Sequence, residues 1–105
     1  MDEKEYKTFE EFYPYYLNEH RQLGTRVTHF IGTTLFLLLV ITAIIKQRPD
    51  LFLIGVVCAY GFAWIGHFFI EKNKPATFKY PWMSLKGDFK LYFEILIGKQ
   101  GFKGN

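Results

Sequence analysis

The fold is decided by residues 27–70, VTHFIGTTLFLLLVITAIIKQRPDLFLIGVVCAYGFAWIGHFFI. This stretch contains two runs without a charged side chain, 27–45 with 19 residues and 51–70 with 20 residues. At 1.5 Å per residue, a helix of this length extends roughly 28 Å, which is close to the hydrocarbon thickness of a bilayer. The two runs therefore predict two membrane-spanning helices.

The connection between the two runs is short. It consists of residues 46–50, KQRPD, so the two helices are expected to be antiparallel neighbours. Pro49 is expected to end the first helix, and Asp50 is expected to cap the second. The sequence thus predicts an all-α membrane protein built on a two-span antiparallel helical hairpin.

Length and composition limit the other possibilities. A chain of 105 residues accommodates one domain, and half of its residues are apolar and a fifth are aromatic. The net charge of +3 is small and scattered along the chain, so no nucleic-acid partner is expected. Cys58 is the only cysteine, which excludes an internal disulfide, and its position in an apolar run is typical of a small buried side chain.

Basic residues flank the two runs unequally. The connection has two of them, Lys46 and Arg48. The opposite ends of the runs carry seven basic residues, Arg21, Arg26, Lys72, Lys74, Lys79, Lys86 and Lys90. Because positive residues remain preferentially on the cytoplasmic side of a membrane, both termini are expected in the cytoplasm. A multi-pass protein of a bacterial inner membrane, or of the endoplasmic reticulum in a eukaryote, is therefore predicted.

The segment before the first run has the pattern of an amphipathic surface helix, at about 9–23. Apolar side chains recur there at spacings of three and four, after a threonine cap at Thr8. Pro14 is expected to interrupt this helix and to start it again as a first helical residue, and the helix is expected to end near Gly24.

The segment after the second run predicts a second amphipathic helix, at about 82–97. Its charged residues, among them Asp88, fall on the side opposite an apolar stripe, which contains Leu85, Phe89, Tyr92, Phe93 and Leu96. This pattern is typical of a helix that lies in the membrane interface or packs with its stripe on the two spans, and both arrangements remain open. Residues 100–105 have no periodicity and are expected to be disordered.

Three histidines are expected to meet on the cytoplasmic side. His29 is the third residue of the first span, and His67 is the fourth from the end of the second. Because the helices are antiparallel, both lie at one depth near the cytoplasmic boundary, and His20 precedes the first span on that side. Neutral imidazole is a common ligand of iron, zinc and copper, so the three histidines predict a metal site or a proton-handling site.

The second span also predicts the direction in which His67 points. Small residues recur at steps of four, at Gly55, Ala59 and Ala63, and the same step leads on to His67 and then Glu71. Because small residues permit close helix packing, His67 is expected to face the first span. Glu71, one turn further along, is expected to reach the same place.

Two other functions fit the same histidines. Imidazoles on facing helices could ligate haem from both sides, as in membrane electron-transfer proteins. Alternatively, each histidine could bond only to a lipid headgroup or a backbone carbonyl, in a non-catalytic lipid-binding scaffold. The spacing of the residues alone leaves these alternatives open.

Two segments carry a resemblance to a known family. The first is YLNEH at 16–20, followed by HFIG at 29–32, and the second is WIGHFFIEKNKPA at 64–76. The second resembles the Trp…Gly-His…Glu-Lys…Pro-Ala segment of the fungal 2-hydroxy-fatty-acid dioxygenase family and its short, bacterial-type relatives. The resemblance covers roughly residues 9–98.

The resemblance implies an activity and a set of site residues. Members of this family are membrane proteins that use Fe(II) and O₂ to shorten a 2-hydroxy fatty acid by one carbon. The implied metal ligands are His20, His29 and His67. Glu71 matches the family acid and is a candidate fourth ligand or an acceptor that orients an imidazole. Arg26, one turn before His29, is a candidate to hold the substrate carboxylate, or else a basic residue of the membrane boundary.

Self-association is also expected. Two spans expose most of their circumference to lipid and do not enclose a site by themselves. A second copy of the chain is expected to pack on the face that carries Gly61, Trp64 and Phe68. The competing arrangement is a monomer whose own terminal helices cover the site from the cytoplasmic side.

Overall fold

The structure, a computed structural model, describes residues 5–104, and over that range it contains helices and no strand. The four α-helices are α1 (Phe9–Asn18), α2 (Leu23–Lys46), α3 (Pro49–Ile65) and α4 (Pro81–Leu96). A π-helical segment, Gly66–Glu71, follows α3 directly, and a 3₁₀ helix, Ala76–Phe78, precedes α4. The all-α prediction is therefore confirmed for the described part of the chain.

The first helix, α1, begins as expected but does not break at Pro14. The Thr8 hydroxyl caps it by accepting a hydrogen bond from the Glu11 N–H at 3.2 Å. Pro14 lies inside the helix on its exposed side, where it removes only one backbone hydrogen bond. The predicted restart at Pro14 and end near Gly24 are wrong, because α1 is one helix that ends at Asn18.

The two long helices, α2 and α3, pack against each other. Gly32 on α2 lies against Phe62, so closely that an added Cβ would be 3.0 Å from the Cβ of Phe62. Gly55 on α3 lies in the same way against Leu39. Rising residue numbers in α2 thus meet falling numbers in α3, which is the pattern of antiparallel neighbours.

The connection between α2 and α3 is a tight turn. Gln47 ends α2 in the left-handed conformation, with φ of 53°. Pro49 is the first residue of α3, a position that its fixed φ favours. The predicted cap at Asp50 is wrong, because the helix has already begun there and the Asp50 carboxylate pairs with Arg48 at 2.6 Å.

Two stretches, Leu23–Lys46 and Pro49–Glu71, are long and apolar enough to cross a membrane. Only 11% and 17% of their most apolar parts are buried inside the structure. Core helices of soluble proteins are mostly buried, so this outward apolar surface disfavours that alternative. The first stretch begins at Leu23, before the start of the predicted span.

The main cluster of buried side chains lies between α1, the 3₁₀ helix and α4. It contains Phe12, Tyr13, Tyr16, Ala76 and Leu91. Three of these residues, Phe12, Tyr13 and Tyr16, belong to the apolar side chains predicted to form a stripe on the first amphipathic helix. This cluster places α1 and α4 together at one end of the long helices, where the histidines lie.

Helix α4 turns inward a face that matches the predicted stripe only in part, at Tyr92. Its buried residues are Ser84, Gly87, Leu91 and Tyr92. Leu85 of the predicted stripe is 42% exposed, whereas Asp88, predicted on the outer side, accepts a hydrogen bond from Tyr16 in the interior. The difference arises because α4 approaches the Tyr16 ring closely, so that a Cβ on Gly87 would be 3.0 Å from it. Small residues rather than large ones fit this contact.

The end of the chain is also held in place. Arg26 donates hydrogen bonds to the Gln100 side chain and to the Gly101 carbonyl, and the Gly104 N–H donates to the Arg21 carbonyl. The expected disorder is therefore wrong for residues 100–104. Hydrogen bonds to α2 and to the turn before it fix these residues, and such isolated contacts leave no periodicity in the sequence. Asn105 lies outside the described residues.

Candidate metal centre

Three imidazoles converge at the end of the long helices. His20 comes from the turn after α1, His29 from the first part of α2, and His67 from the π-helical segment. Their ring centroids are 4.4 to 5.0 Å apart. One ring nitrogen from each lies within 4.8 Å of the others, so the group could hold one metal ion. The predicted convergence of the three histidines is thus present in the structure.

Backbone carbonyls orient two of the three rings. The Nδ1 of His20 lies 2.7 Å from the carbonyl oxygen of Tyr16, four residues earlier. The Nδ1 of His29 lies 3.0 Å from the carbonyl oxygen of Thr25, again four residues earlier. Because a carbonyl oxygen can only accept, Nδ1 carries the proton in both rings and Nε2 keeps its lone pair for a ligand bond.

An asparagine side chain orients the third ring. The Nδ1 of His67 lies 2.7 Å from the Oδ1 of Asn73. The Asn73 amide nitrogen donates to the backbone carbonyl and the carboxylate of Glu19, at 3.0 and 3.2 Å, which fixes its oxygen towards His67. All three imidazoles therefore present Nε2 to the centre, as in metal sites whose ligands are held by outer hydrogen bonds.

The buried state of these rings fits a metal. The Nε2 of His20 is buried and has no hydrogen-bond partner among the described residues, although an unsatisfied buried nitrogen is unfavourable by about 1–3 kcal/mol. Burial, and next to it the neighbouring His29 and His67, lower the pKa of His20 well below its ordinary value. The ring is therefore neutral, the form that binds iron, zinc or copper.

The π-helical segment explains the position of His67. Gly66, its first residue, lies against α2, where an added Cβ would be 2.5 Å from Thr28 Oγ1 and 3.2 Å from the Thr25 Cα. The segment ends at Lys72 in the left-handed conformation, with φ of 62°. It thereby brings His67 close to α2 and returns the chain to Asn73. Such segments are frequent at functional sites.

The structure leaves the Glu71 carboxylate outside the group formed by the three imidazoles. Its carboxylate accepts a hydrogen bond from the Gln22 N–H at 3.0 Å, at the start of α2. A carboxylate is favoured there because the first N–H groups of a helix have no partner within the helix. The Glu71 carboxylate is thus engaged at the start of α2, and Asn73 makes the orienting contact that was one of the two roles suggested for Glu71. A ligand role for Glu71 stays a prediction.

Arg26 likewise does not reach the cavity beside the histidines. It is 3% exposed, and its Nε donates to the His20 carbonyl at 2.6 Å. One of its terminal nitrogens donates to the Gly101 carbonyl at 2.8 Å. The guanidinium thus joins the turn that carries His20 to residues 100 and 101. A contact between Arg26 and a substrate carboxylate stays a prediction.

A mostly apolar cavity of about 270 Å³ opens beside the imidazoles. Its floor is α2, and its sides are α3 and α4, which pack on α2 and leave a gap between them. Exposed Tyr60, Trp64 and Leu85 form the rim, and Phe36, Phe52 and Phe89 line the part farther from the histidines. The cavity can take an apolar chain whose polar end meets the metal centre.

Two side chains of α4 add polar groups to this cavity. Asp88 lines it and is hydrogen-bonded to Tyr16, whose ring stacks on His20 with centroids 4.0 Å apart. Burial raises the pKa of the Asp88 carboxyl to about 7, although the hydrogen bond from Tyr16 acts to lower it. Ser84, one turn earlier, also lines the cavity. The signal in the sequence was the spacing of three and four from Ser84 through Gly87 to Leu91, a small-residue face that the larger apolar stripe obscured.

Comparison with known proteins identifies the family. A family model described as 2-hydroxy-palmitic acid dioxygenase Mpo1-like matches residues 6–100, which include all three histidines. No curated protein and no solved structure matches the chain. The chain belongs to the 2-hydroxy-palmitic acid dioxygenase Mpo1-like family, and the resemblance drawn from its two histidine segments is confirmed.

Proposed function

We propose that this protein is a membrane-embedded, Fe(II)-dependent dioxygenase that shortens 2-hydroxy fatty acids by one carbon. The observation that supports it most strongly is the position of three metal-competent imidazoles in the wall of an apolar cavity. The family name gives the substrate class. The overall change balances, because a 2-hydroxy acid and O₂ contain the atoms of an acid one carbon shorter, CO₂ and water.

The metal ligands in this proposal are His20, His29 and His67. Bound Fe(II) would supply open coordination positions for O₂ and a 2-hydroxy acid, through which electrons of the acid could reach O₂. The chain itself fixes the three rings through their Nδ1 atoms, so that no reorientation is needed when the ion binds. Burial of the rings under α1 and α4 keeps bulk water away from them.

The substrate tail is proposed to lie in the cavity between α3 and α4. Its wall is made of aromatic and aliphatic side chains, and its rim opens on the outward apolar surface of the long helices. A fatty acid could therefore move from lipid into the site without crossing water. The proposal includes α2 and α3 as an antiparallel membrane hairpin, with α1, α4 and both termini on the cytoplasmic side.

A haem-binding electron carrier is less compatible with this geometry. The three rings stand nearly perpendicular to one another, with interplanar angles of 79° to 88°, and converge on one small centre. Two axial ligands of a haem face each other across a flat macrocycle instead. An absorption spectrum separates the two functions, because haem gives an intense band near the blue end of the visible range and a non-haem Fe(II) site does not.

The direct test is turnover by the purified protein. The protein, in mild detergent and loaded anaerobically with Fe(II), is mixed with 2-hydroxypalmitic acid and O₂, and the products are identified by mass spectrometry. The expected product is the acid one carbon shorter, and palmitic acid serves as the matched control that should not react. Unchanged 2-hydroxypalmitic acid with a fully loaded metal site would contradict the proposal.

A further inference from the structure

The cavity wall opposite α3 contains an unusual buried hydroxyl. Ser84 is 1% exposed, and its Oγ has no hydrogen-bond partner among the described residues. A serine inside a helix ordinarily bonds to a backbone carbonyl one turn earlier or points to solvent, and this one does neither. Ser84 belongs to the cavity wall, and rotation of its side chain about the Cα–Cβ bond would present the hydroxyl to a bound molecule.

A buried carboxyl lies one turn further along the same face of α4. Asp88 lines the cavity as well, and its hydrogen bond to Tyr16 links it to the ring that stacks on His20. It also borders a crevice next to His29. Ser84 and Asp88, four residues apart on α4, therefore form a polar strip beside the metal centre in a cavity that is otherwise mostly apolar.

The hydrocarbon tail of a fatty acid offers nothing to this polar strip. A 2-hydroxy acid has its oxygen atoms together at one end, and its hydroxyl can both donate to a carboxyl oxygen and accept from Oγ. An acid without the hydroxyl would fill the cavity and leave the Ser84 hydroxyl unpaired. Sites built to bond a substrate hydroxyl discriminate strongly against the analogue that lacks it.

We propose that Ser84 and Asp88 bind the 2-hydroxyl group of the substrate and thereby select 2-hydroxy acids over unhydroxylated ones. The inference rests on the proposed function, because it takes a 2-hydroxy fatty acid as the substrate. It assigns the selectivity for that substrate to residues outside the histidine cluster. Ser84 touches the substrate hydroxyl in this assignment. Asp88 touches it too, and is held in place by Tyr16.

The test compares two ligands at equilibrium, without turnover. The metal-loaded protein is titrated under argon with 2-hydroxypalmitic acid and with palmitic acid, and the ratio of the two dissociation constants is measured. Ser84→Ala removes a group that has no protein partner, so the fold is expected to persist. Its preference for the hydroxy acid should fall about tenfold, as expected for one lost hydrogen bond, while its bound metal stays unchanged.

Two further variants make the result decisive. Thr42→Ala is the matched control, because it also removes a helix hydroxyl, one that bonds to the Leu38 carbonyl away from the cavity, and its preference should be unchanged. Asp88→Ala, which removes the acceptor altogether, should lower the preference as Ser84→Ala does. A full preference in Ser84→Ala would overturn the role of Ser84, although turnover by the unmodified protein would still support the proposed function. No preference in the unmodified protein would overturn the proposed substrate itself.

Discussion

Asn73 is the residue on which the orientation of His67 depends. Its side-chain oxygen accepts a hydrogen bond from Nδ1 of His67, while its amide nitrogen donates to Glu19. Without this acceptor, the His67 ring could turn or take the other tautomer. Glu71 lies nearby but bonds to the Gln22 N–H instead. The two polar side chains at the end of the π-helical segment thus have different tasks.

These different tasks lead to the first prediction. Asn73→Leu should weaken Fe(II) binding by roughly 10- to 100-fold, the usual effect of losing an outer partner of a metal-bound histidine. Glu71→Gln, whose amide oxygen can still accept from Gln22, should leave the affinity nearly unchanged. Both affinities can be measured by competition with a chelator. A larger loss in Glu71→Gln than in Asn73→Leu would contradict the assignment.

Asp88 leads to a second prediction, on the pH dependence of stability. Burial raises the pKa of its carboxyl to about 7 from an ordinary 3.8. Between these values the folded state holds a proton that the unfolded chain has released, so the contribution of Asp88 to stability rises as the pH falls. The other polar groups around it are Tyr16, Arg26 and His29.

The measurement is thermal unfolding in detergent at about pH 8 and about pH 5, for the unmodified protein and for Asp88→Asn. The gain in stability of the Asn variant over the unmodified protein should be largest at the higher pH, where the buried carboxyl must ionise, and should shrink at the lower. Using the difference removes the contribution of the histidines. A difference independent of pH would show that Asp88 is not perturbed by its burial.

At the residue scale, the sequence predicts the histidines better than their surroundings. His29 and His67 follow from the geometry of two antiparallel helices, and His20 from its place just before the first. Asn73 and Asp88 could not be found in this way, because their positions depend on how a π-helical segment ends and on which face α4 turns inward. The end of the π-helical segment has no periodicity that would reveal it, and the inward face of α4 was obscured by the larger apolar stripe beside it.

Among the elements, the π-helical segment has the most direct effect on the site. It begins at Gly66, which touches α2 at Thr25 and Thr28, and the Thr25 hydroxyl lies 3.4 Å from the Gly66 carbonyl. Any side chain at this position would push the segment, and His67 with it, away from α2. The distance of His67 from the other two imidazoles therefore depends on the glycine that precedes it.

The third prediction tests this dependence. Gly66→Ala places a methyl group 2.5 Å from Thr28 Oγ1 and should destabilise the protein by about 1–3 kcal/mol, the usual range for overpacking, and lower its bound metal. Gly61→Ala is the matched control in the same apolar stretch, because its added Cβ meets nothing within 4 Å. Equal stability and equal metal content in the two variants would contradict the role given to Gly66.

The helices themselves could largely be predicted, but their packing could not. Two long apolar runs indicate two long helices, and the cap at Thr8 indicates the start of α1. The internal position of Pro14 was missed because one lost hydrogen bond is outweighed by the packing of α1 on α4. The inward face of α4 was missed because Tyr16 needs a close approach at Gly87, a requirement set by another element.

For the whole molecule, enclosure of the site is the main consequence of the fold. α1 and α4 cover the histidines from one side, and Arg26 ties the end of the chain to the turn at His20. The site is therefore covered without a second copy of the chain, although the expectation of a homo-oligomer was partly based on that need. Self-association through Gly61, which is exposed, stays a prediction, as does the cytoplasmic position of both termini.

The proposed activity depends on one property of the protein, which is that His20, His29 and His67 jointly hold a metal ion. Metal analysis of the purified protein by plasma mass spectrometry, repeated after anaerobic loading with Fe(II), tests it most directly. The expected result is about one iron per chain in the unmodified protein, and a severe loss in each single replacement by alanine, with helical content unchanged by circular dichroism. Full metal occupancy in all three alanine variants, or no binding by the unmodified protein, would contradict the account.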